Sequence, residues 1–319
     1  MNTVRSRRPQ ITKLQITKLQ NSMNGVVVID KPPGLTSHDV VNRVRRILGQ
    51  RAVGHLGTLD PSATGVLPVV LGNLTRLAQF YAHSEKTYEG VIRFGFATDT
   101  YDADGEPTTP PQDVHINCDE VRALAAQFQG TIEQMPPPFS AKKIAGVPAY
   151  KLARKKQAVA LKPVPVEIKE FEILDAAADQ ATFRARVASG TYIRSVAHEM
   201  GQKLGCGAHL ASLRRTAVAE FTIEDAHSLQ ALETAMQQGS AESFVLRMLV
   251  HPRKLVPQLP SVTANEESAA LIRSGRAVNL PEMSRAPQVK VFYGQRDLIA
   301  IATRIAGTLF HPSIVFSAQ

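Results

Sequence analysis

The fold of this chain turns on the stretch Gly54-His55-Leu56-Gly57-Thr58-Leu59-Asp60-Pro61-Ser62-Ala63-Thr64-Gly65-Val66-Leu67. It holds one acid, Asp60, and no other formal charge, in a run punctuated by Gly and Pro where a backbone turns sharply. A loop built to aim one carboxylate is one reading. An ordinary Asx-type turn is the other, because Asp before Pro favours an extended or turn geometry and is common in loops. Composition alone favours the plain turn; three further strings elsewhere in the chain shift the balance.

A chain of 319 residues has room for two domains and a sizeable core, and 44% apolar with 20% charged residues is ordinary globular composition. The longest apolar runs, such as Val66 to Leu71, fall far short of the ~18 residues that span a bilayer, so no membrane segment is expected. Cys118 and Cys206 are the only cysteines, in no CxxC pairing and without a nearby His pair, which argues against a disulfide framework and a zinc site. With no secretory signal, the composition points to a reducing cytoplasm. The net charge of +9 invites a nucleic-acid reading, but residues 1–23 hold Arg5, Arg7, Arg8, Lys13, Lys18 and no acid, which leaves little excess for the remainder.

Toward the amino terminus, Val26-Val27-Val28-Ile29 reads as a short buried strand, stopped by Lys31-Pro32-Pro33-Gly34. Thr36-Ser37 offers an N-cap to a helix whose Val40, Val41, Val44, Ile47 and Leu48 recur at helical spacing up to Gly49. Residues 1–23 contain a tandem repeat, Ile11 to Gln15 and Ile16 to Gln20, and read as a disordered basic extension. Met23, directly before the first strand, makes that extension either a start-site artefact or a functional basic arm.

Toward the carboxyl terminus, Val66 to Leu71 reads as buried, and Lys86 to Phe96 alternates as a strand with Tyr88 on the face of Ile92, Phe94 and Phe96. Tyr88 is thus a core aromatic or, at the strand's start, a half-exposed ring. Thr98 to Gln112 reads as a surface connection, and Asn117-Cys118-Asp119-Glu120 as a capping box. Met135-Pro136-Pro137-Pro138-Phe139-Ser140-Ala141-Lys142-Lys143 is neither helix nor central strand, and Lys151, Arg154, Lys155 and Lys156 follow it as a local basic cluster. Strands at Val164 to Ile173 and Thr182 to Ala188 lead into Ser189-Gly190-Thr191-Tyr192-Ile193-Arg194-Ser195 and a helix ending at Gly205. Such a strand–Gly turn–helix junction aims side chains at a ligand, although Arg194 there also reads as a cap or surface residue. Ile223 to Met236 reads as a helix. Residues 237–260 lose periodicity and hold Pro252, Pro257 and Pro260, which places a domain boundary there. Beyond it, Thr263-Ala264-Asn265-Glu266 reads as a capping box, followed by strands at Ala277 to Leu280, Val289 to Tyr293, Leu298 to Thr303 and Ile314 to Phe316. The expected division is an extension at 1–23, a catalytic domain at 24–256 and a β-rich module at 257–319.

Four strings, Lys31 to Val41, Gly54 to Gly65, Pro136 to Lys143 with Tyr150 and Ala153-Arg154, and Gly190 to Arg194, resemble the bacterial tRNA pseudouridine-55 synthase family in order and spacing. The resemblance covers roughly residues 24–319. It implies an α+β fold, a mixed, mostly antiparallel sheet flanked by helices with the active site in a central cleft, plus a small C-terminal PUA-like RNA-binding module. It implies isomerisation of uridine to pseudouridine in the tRNA T-loop, with Asp60 as catalytic carboxylate and Arg194 as its partner. Tyr88 would stack on the target uracil, Tyr192 would line the pocket, and His55 would fill the gap left by the flipped base. Lys31 and Leu213 match further pocket positions, and residues from about 135 to 156 match an insertion that closes over the RNA. The implied partner is the tRNA T-arm, without cofactor, metal, membrane or obligatory protein partner, for a monomer in the cytoplasm.

The residue types suit that chemistry. The isomerisation breaks N1–C1′, turns the uracil and joins C5 to C1′, with no redox change and no group lost. A carboxylate can serve as nucleophile or as base, and an arginine beside it would offset the desolvation of a closed pocket. Unstacking the uracil costs a few kcal/mol, which an aromatic platform worth roughly 1–3 kcal/mol per base can offset. Two other readings stay open: a pseudouridine synthase that acts on another RNA within a guide-RNA particle, and an RNA-binding module whose catalytic loop is vestigial. Because every chemical residue precedes the C-terminal module, the chemistry is expected to be separable from it.

Overall fold

A computed structural model describes residues 23–140, 143–144, 147–148, 161–237, 241–282 and 284–316. The extension before Met23 and the basic cluster at Tyr150 to Lys156 lie outside the described residues. The strands, in chain order, are β1 (Gly25–Lys31), β2 (Val53–His55), β3 (Thr64–Leu71), β4 (Lys86–Phe94), β5 (Gly130–Gln134), β6 (Lys143–Ile144), β7 (Val147–Pro148), β8 (Val164–Ala177), β9 (Gln180–Val187), β10 (Ala208–Val218), β11 (Phe221–Thr222) and β12 (Ala226–His227). Except for the β6–β7 hairpin they form one sheet, in the order β12-β1-β3-β10-β4-β9-β8-β5, with β2 on β3 and β11 on β10. Only β1–β12 and β3–β10 pair in parallel, so the sheet is mixed and mostly antiparallel.

Local chemistry explains the elements around the Asp60 loop. The β-branched run of β1 is wholly buried between β12 and β3, with Val26 and Val28 in one core cluster and Val27 and Ile29 in another, so both faces need apolar cover. The helix Ser37–Leu48 starts at Thr36, whose hydroxyl accepts from the Asp39 N–H while the Asp39 carboxylate accepts from the Thr36 N–H, and it ends at Gly49 with φ 62°. Its Val40, Val41, Val44 and Leu48 pack with Leu67 and Val69 of β3. Gly65 pairs with Arg215 across the parallel β3–β10 junction at φ 100°, and a Cβ there would sit 2.2 Å from the Arg215 carbonyl. Only glycine permits that close approach, and it brings β10 against the exit of the loop.

A second sheet holds β13 (Ser261–Ala264), β14 (Val278–Asn279), β15 (Gln288–Tyr293), β16 (Asp297–Ala306) and β17 (Leu309–Val315), in the order β13-β15-β16-β17-β14. It shares a core with the first: Phe292, Leu298, Ile301, Ile314 and Phe316 pack in one cluster with Val26, Val70, Leu74 and Phe221. Polar contacts tie the join. The Val256 N–H donates to the Tyr81 hydroxyl at 2.9 Å and to Glu220 Oε1 at 3.0 Å, and Lys290 Nζ donates to the Arg253 and Leu255 carbonyls.

Several sequence expectations are corrected. Residues 237–260 include a helix, Ala241–Met248, whose two turns are too short to display a period. The segment from Ile223 first makes a 3-10 turn and then β12, and the helix starts only at Leu229, because pairing with β1 prevails over helical spacing. Thr263 belongs to β13, and Asn265 is the cap, accepting from the Ser268 N–H. Asn117 accepts from Asp119 and Glu120 without the reciprocal arm of a capping box. Thr98 to Gln112 is no mere surface connection: it holds Asp102 in a buried bridge with Leu210 of β10.

Candidate active site

The Asp60 loop joins β2 to β3, and the residues on either side of Asp60 are pinned from below. Ser37 Oγ donates to the Leu59 carbonyl at 3.1 Å and accepts from the Leu59 N–H at 2.8 Å. Lys31 Nζ donates to the Pro61 carbonyl at 2.9 Å, and also to those of Leu35 and Pro32. Arg215 donates from Nη2 to the Gly57 carbonyl and from Nη1 to that of Thr58, both at 3.0 Å, and from Nε to Val66 at 2.9 Å. Lys31 and Arg215 are both fully buried; carbonyls satisfy Lys31, and carbonyls together with the Tyr88 hydroxyl satisfy Arg215. Burial pushes the Lys31 ammonium down to about 8, against the opposing pull of the Asp60 carboxylate. These cations are tied to the loop backbone because an unpaired buried charge is costly.

Arg194 stands in the first turn of the helix Ile193–Lys203 and is 6% exposed. Its Nε lies 2.9 Å from Asp60 Oδ2, and the Asp60 side chain remains 40% exposed toward the cleft. Its two Nη atoms make three further contacts to protein: Nη1 with the Thr100 carbonyl at 3.2 Å and Asp102 Oδ2 at 3.4 Å, Nη2 with the Phe139 carbonyl at 3.1 Å. Asp102 Oδ1 in turn accepts from Thr100 Oγ1 at 2.6 Å and from the Asp104 N–H at 3.2 Å, while burial pushes its carboxyl up. The preceding Tyr101 has φ 65°, an uncommon conformation for a bulky residue, and its ring stacks on His198 at 3.7 Å. Arg194 is thereby fixed at four points, and Asp60 Oδ1 has no hydrogen-bond partner among the described residues.

Above this pair opens a cleft of about 430 Å³, lined by His55, Gly57, Asp60, Tyr81, Lys86, Tyr88, Tyr192, Arg194 and Leu213 among others. Tyr88 is 9% exposed and packs in the core cluster of Ile92 and Phe183, so the core reading holds instead of the half-exposed one, while the ring also lines the cleft. His55 Nδ1 accepts from the Gly57 N–H at 3.3 Å, and burial holds the imidazole below its ordinary range. Tyr192 is held through its backbone by Gln134, and burial pushes its phenol up. Lys31 does not line the cleft; it lies beneath the loop as a backbone clamp.

Sequence reasoning missed Ser37, Asp102, Gln134 and Arg215. For Arg215 a signal existed: in a strand, neighbours face opposite ways, so one of Arg214 and Arg215 had to turn inward. Arg214 is the outer one, with Nη1 and Nη2 on the two oxygens of Asp30 at 3.1 and 2.9 Å. For Asp102 there was none, since Asp99, Asp102 and Asp104 look alike in a polar stretch.

Comparison with known proteins shows the family. The chain matches the family model "TruB family pseudouridylate synthase (N terminal domain)" over residues 45–193 and "tRNA pseudouridylate synthase B C-terminal domain" over residues 194–255. The tRNA pseudouridine synthase B of Solibacter usitatus (strain Ellin6076) is 47% identical over 296 residues, 92% of this chain and 100% of that protein. Its namesake from Aquifex aeolicus (strain VF5) is 39% identical over 289 residues, 90% of this chain and 98% of that protein. Among solved structures, a Cbf5-Nop10-Gar1 complex aligns with a TM-score of 0.68 at 27% identity, covering 94% of this chain and 87% of that one. An H/ACA RNP bound to a substrate RNA containing 2'-deoxyuridine aligns with a TM-score of 0.67 at 26% identity, covering 94% and 86%.

Proposed function

The chain belongs to the TruB family of pseudouridylate synthases, isomerases that convert uridine of tRNA to pseudouridine, and we propose that its target is position 55 of the T-loop, with Asp60 the carboxylate that acts on the flipped-out base. The observation that carries the proposal is the contact of Asp60 Oδ2 with Arg194 Nε at 2.9 Å, which leaves Oδ1 toward a cleft walled by Tyr88 and Tyr192.

A uridine extruded from the T-loop enters with its ring on Tyr88, and the stack offsets part of the unstacking cost. Asp60 Oδ1 meets the sugar or the base, while Arg194 steadies the carboxylate from behind. Arg194 is itself immobile, so the carboxylate needs no reorganisation when charge shifts in the reaction. The glycosidic bond from N1 breaks, the uracil turns within the cleft, C5 bonds to C1′, and the proton lost from C5 is balanced by the one that N1 gains. His55, at the rim, occupies the space the base has left. The protein acts alone on the T-arm, which it reads by shape, as a folded loop offers splayed bases instead of a regular groove.

The test incubates unmodified tRNA transcript with the protein alone and maps pseudouridine by position. Product at position 55 is expected from the parent, and none from Asp60→Asn, which should still bind tRNA in a filter assay. Product at another uridine, or more than about one per cent of the parent single-turnover rate in Asp60→Asn after deamidation is excluded, would overturn the assignment.

A further inference from the structure

Lys86 opens β4 two residues before Tyr88 and on the same face, so both side chains turn toward the cleft and both line it. Its surroundings are unusual for a half-buried ammonium. Nζ donates to the Ser84 carbonyl at 2.6 Å, and no carboxylate pairs with it among the described residues. The charge that acts on it is Arg215, another cation, and burial together with that repulsion pushes the ammonium down to about 8. An ammonium carries three donors, so Lys86 has donors to spare. The other charged groups on the cleft wall, Asp60 and Arg194, already hold each other. A desolvated cation gains from an arriving anion what the folded chain does not supply.

Resting on the reading that a flipped nucleotide occupies this cleft, we propose that Lys86 binds a phosphodiester oxygen in the backbone of that nucleotide. The base has to reach Asp60 and Tyr88, and Lys86 lies about 7 Å back along the strand from Tyr88. There it adjoins Ser84 and the exposed Ala82, where the strand emerges at the mouth of the cleft. The backbone of an extruded nucleotide remains at the mouth, and each nucleotide brings one phosphodiester charge. A uracil carbonyl could also accept from Nζ, but it is neutral and binding it releases no counterion.

Salt dependence separates these cases. The parent, Lys86→Gln and Lys86→Arg are compared by tRNA filter binding across salt concentrations, with thermal melting to verify folding and steady-state kinetics on the same transcript. Lys86→Gln should weaken affinity and flatten the slope of log K against log salt by about 0.7, the value for one single-strand phosphate contact. Its kinetic loss should fall on KM more than on kcat, and Lys86→Arg should restore the parent slope. An unchanged slope in Lys86→Gln overturns the proposal, whether or not affinity falls, as does a loss confined to kcat. If Lys86→Gln melts early, a reduced slope in Lys86→Arg overturns it and a parental slope supports it. A parent that makes no pseudouridine refutes the functional reading instead, a result distinct from any of these.

Discussion

Gln134 and Tyr192 are joined by a reciprocal pair of hydrogen bonds: Gln134 Nε2 donates to the Tyr192 carbonyl at 3.1 Å, and the Tyr192 N–H donates to Gln134 Oε1 at 2.8 Å. A side-chain amide here copies a β-ladder and anchors the turn that delivers both Tyr192 and Arg194. Gln134→Leu strands the Tyr192 N–H, whereas the Tyr192 carbonyl keeps the Ser195 N–H at 3.1 Å, and at roughly 1–3 kcal/mol for one unsatisfied buried group it should cost about 1–3 kcal/mol in urea unfolding. Activity at permissive temperature should fall as well; full activity would show that the helix alone positions Arg194.

Arg194 serves two carboxylates, and its variants should rank accordingly. Arg194→Lys keeps the charge but cannot reach Asp60, Asp102 and the Thr100 and Phe139 carbonyls together, so the saturated single-turnover rate should drop by at least ~100-fold. Asp102→Asn retains the Thr100 contact and loses only the weaker ionic link, so its loss should be smaller. The reverse order would make Asp102 the more important partner.

Lys31 holds three carbonyls with one ammonium, two of them on the Pro-rich turn and one beside Asp60. Lys31→Met leaves the Pro32 and Leu35 carbonyls unpaired, while the Pro61 carbonyl keeps the Gly34 N–H at 2.9 Å, and it relieves the desolvation of the cation, for a net destabilisation of about 2–4 kcal/mol. A change below ~0.5 kcal/mol in denaturant midpoint analysis would mean that Ser37 and the Gly34 N–H hold the loop unaided.

His55 binds a proton less readily in the fold than in the unfolded chain, because burial and Arg215 hold it below 6.5. The folded state's advantage is complete above about pH 6.5 and is lost as pH falls through the lowered folded pKa, at about 1.4 kcal/mol per unit of depression. His55→Asn should therefore lose less stability than the parent between pH 7 and pH 5. Parallel urea curves at both pH values check this, and equal losses would contradict it.

A chain ending at Gln258 would strip the apolar cover from Val70, Leu74 and Phe221, which share a core with Phe292, Ile301 and Phe316. The cut also falls beside Val256, whose N–H bonds the hydroxyl of Tyr81, a residue of the cleft wall. The truncated protein should aggregate or melt well below the parent, and the saturated rate should fall with affinity. The expectation of separable chemistry, drawn from residue order, survives only if that rate is retained.

The sequence by itself determined the elements that local patterns encode. The β-branched run at Val26 to Ile29, the Thr36 cap with its Gly49 stop, and the alternation from Lys86 were legible because period and capping are properties of neighbouring residues. The family resemblance carried by the four strings likewise pointed to Asp60, Tyr192 and Arg194, together with Tyr88 outside the strings, as one site. Tertiary structure decided the rest. Asp102 is singled out from Asp99 and Asp104 only by a turn that carries it to Arg194, and Arg215 becomes a buried clamp only because Gly65 lets β10 close on β3. Lys31, read as a pocket residue, lies beneath the loop because three carbonyls converge on it from segments up to thirty residues away. Such roles depend on which distant backbone groups end up unsatisfied beside a side chain, and no spacing along the chain records that.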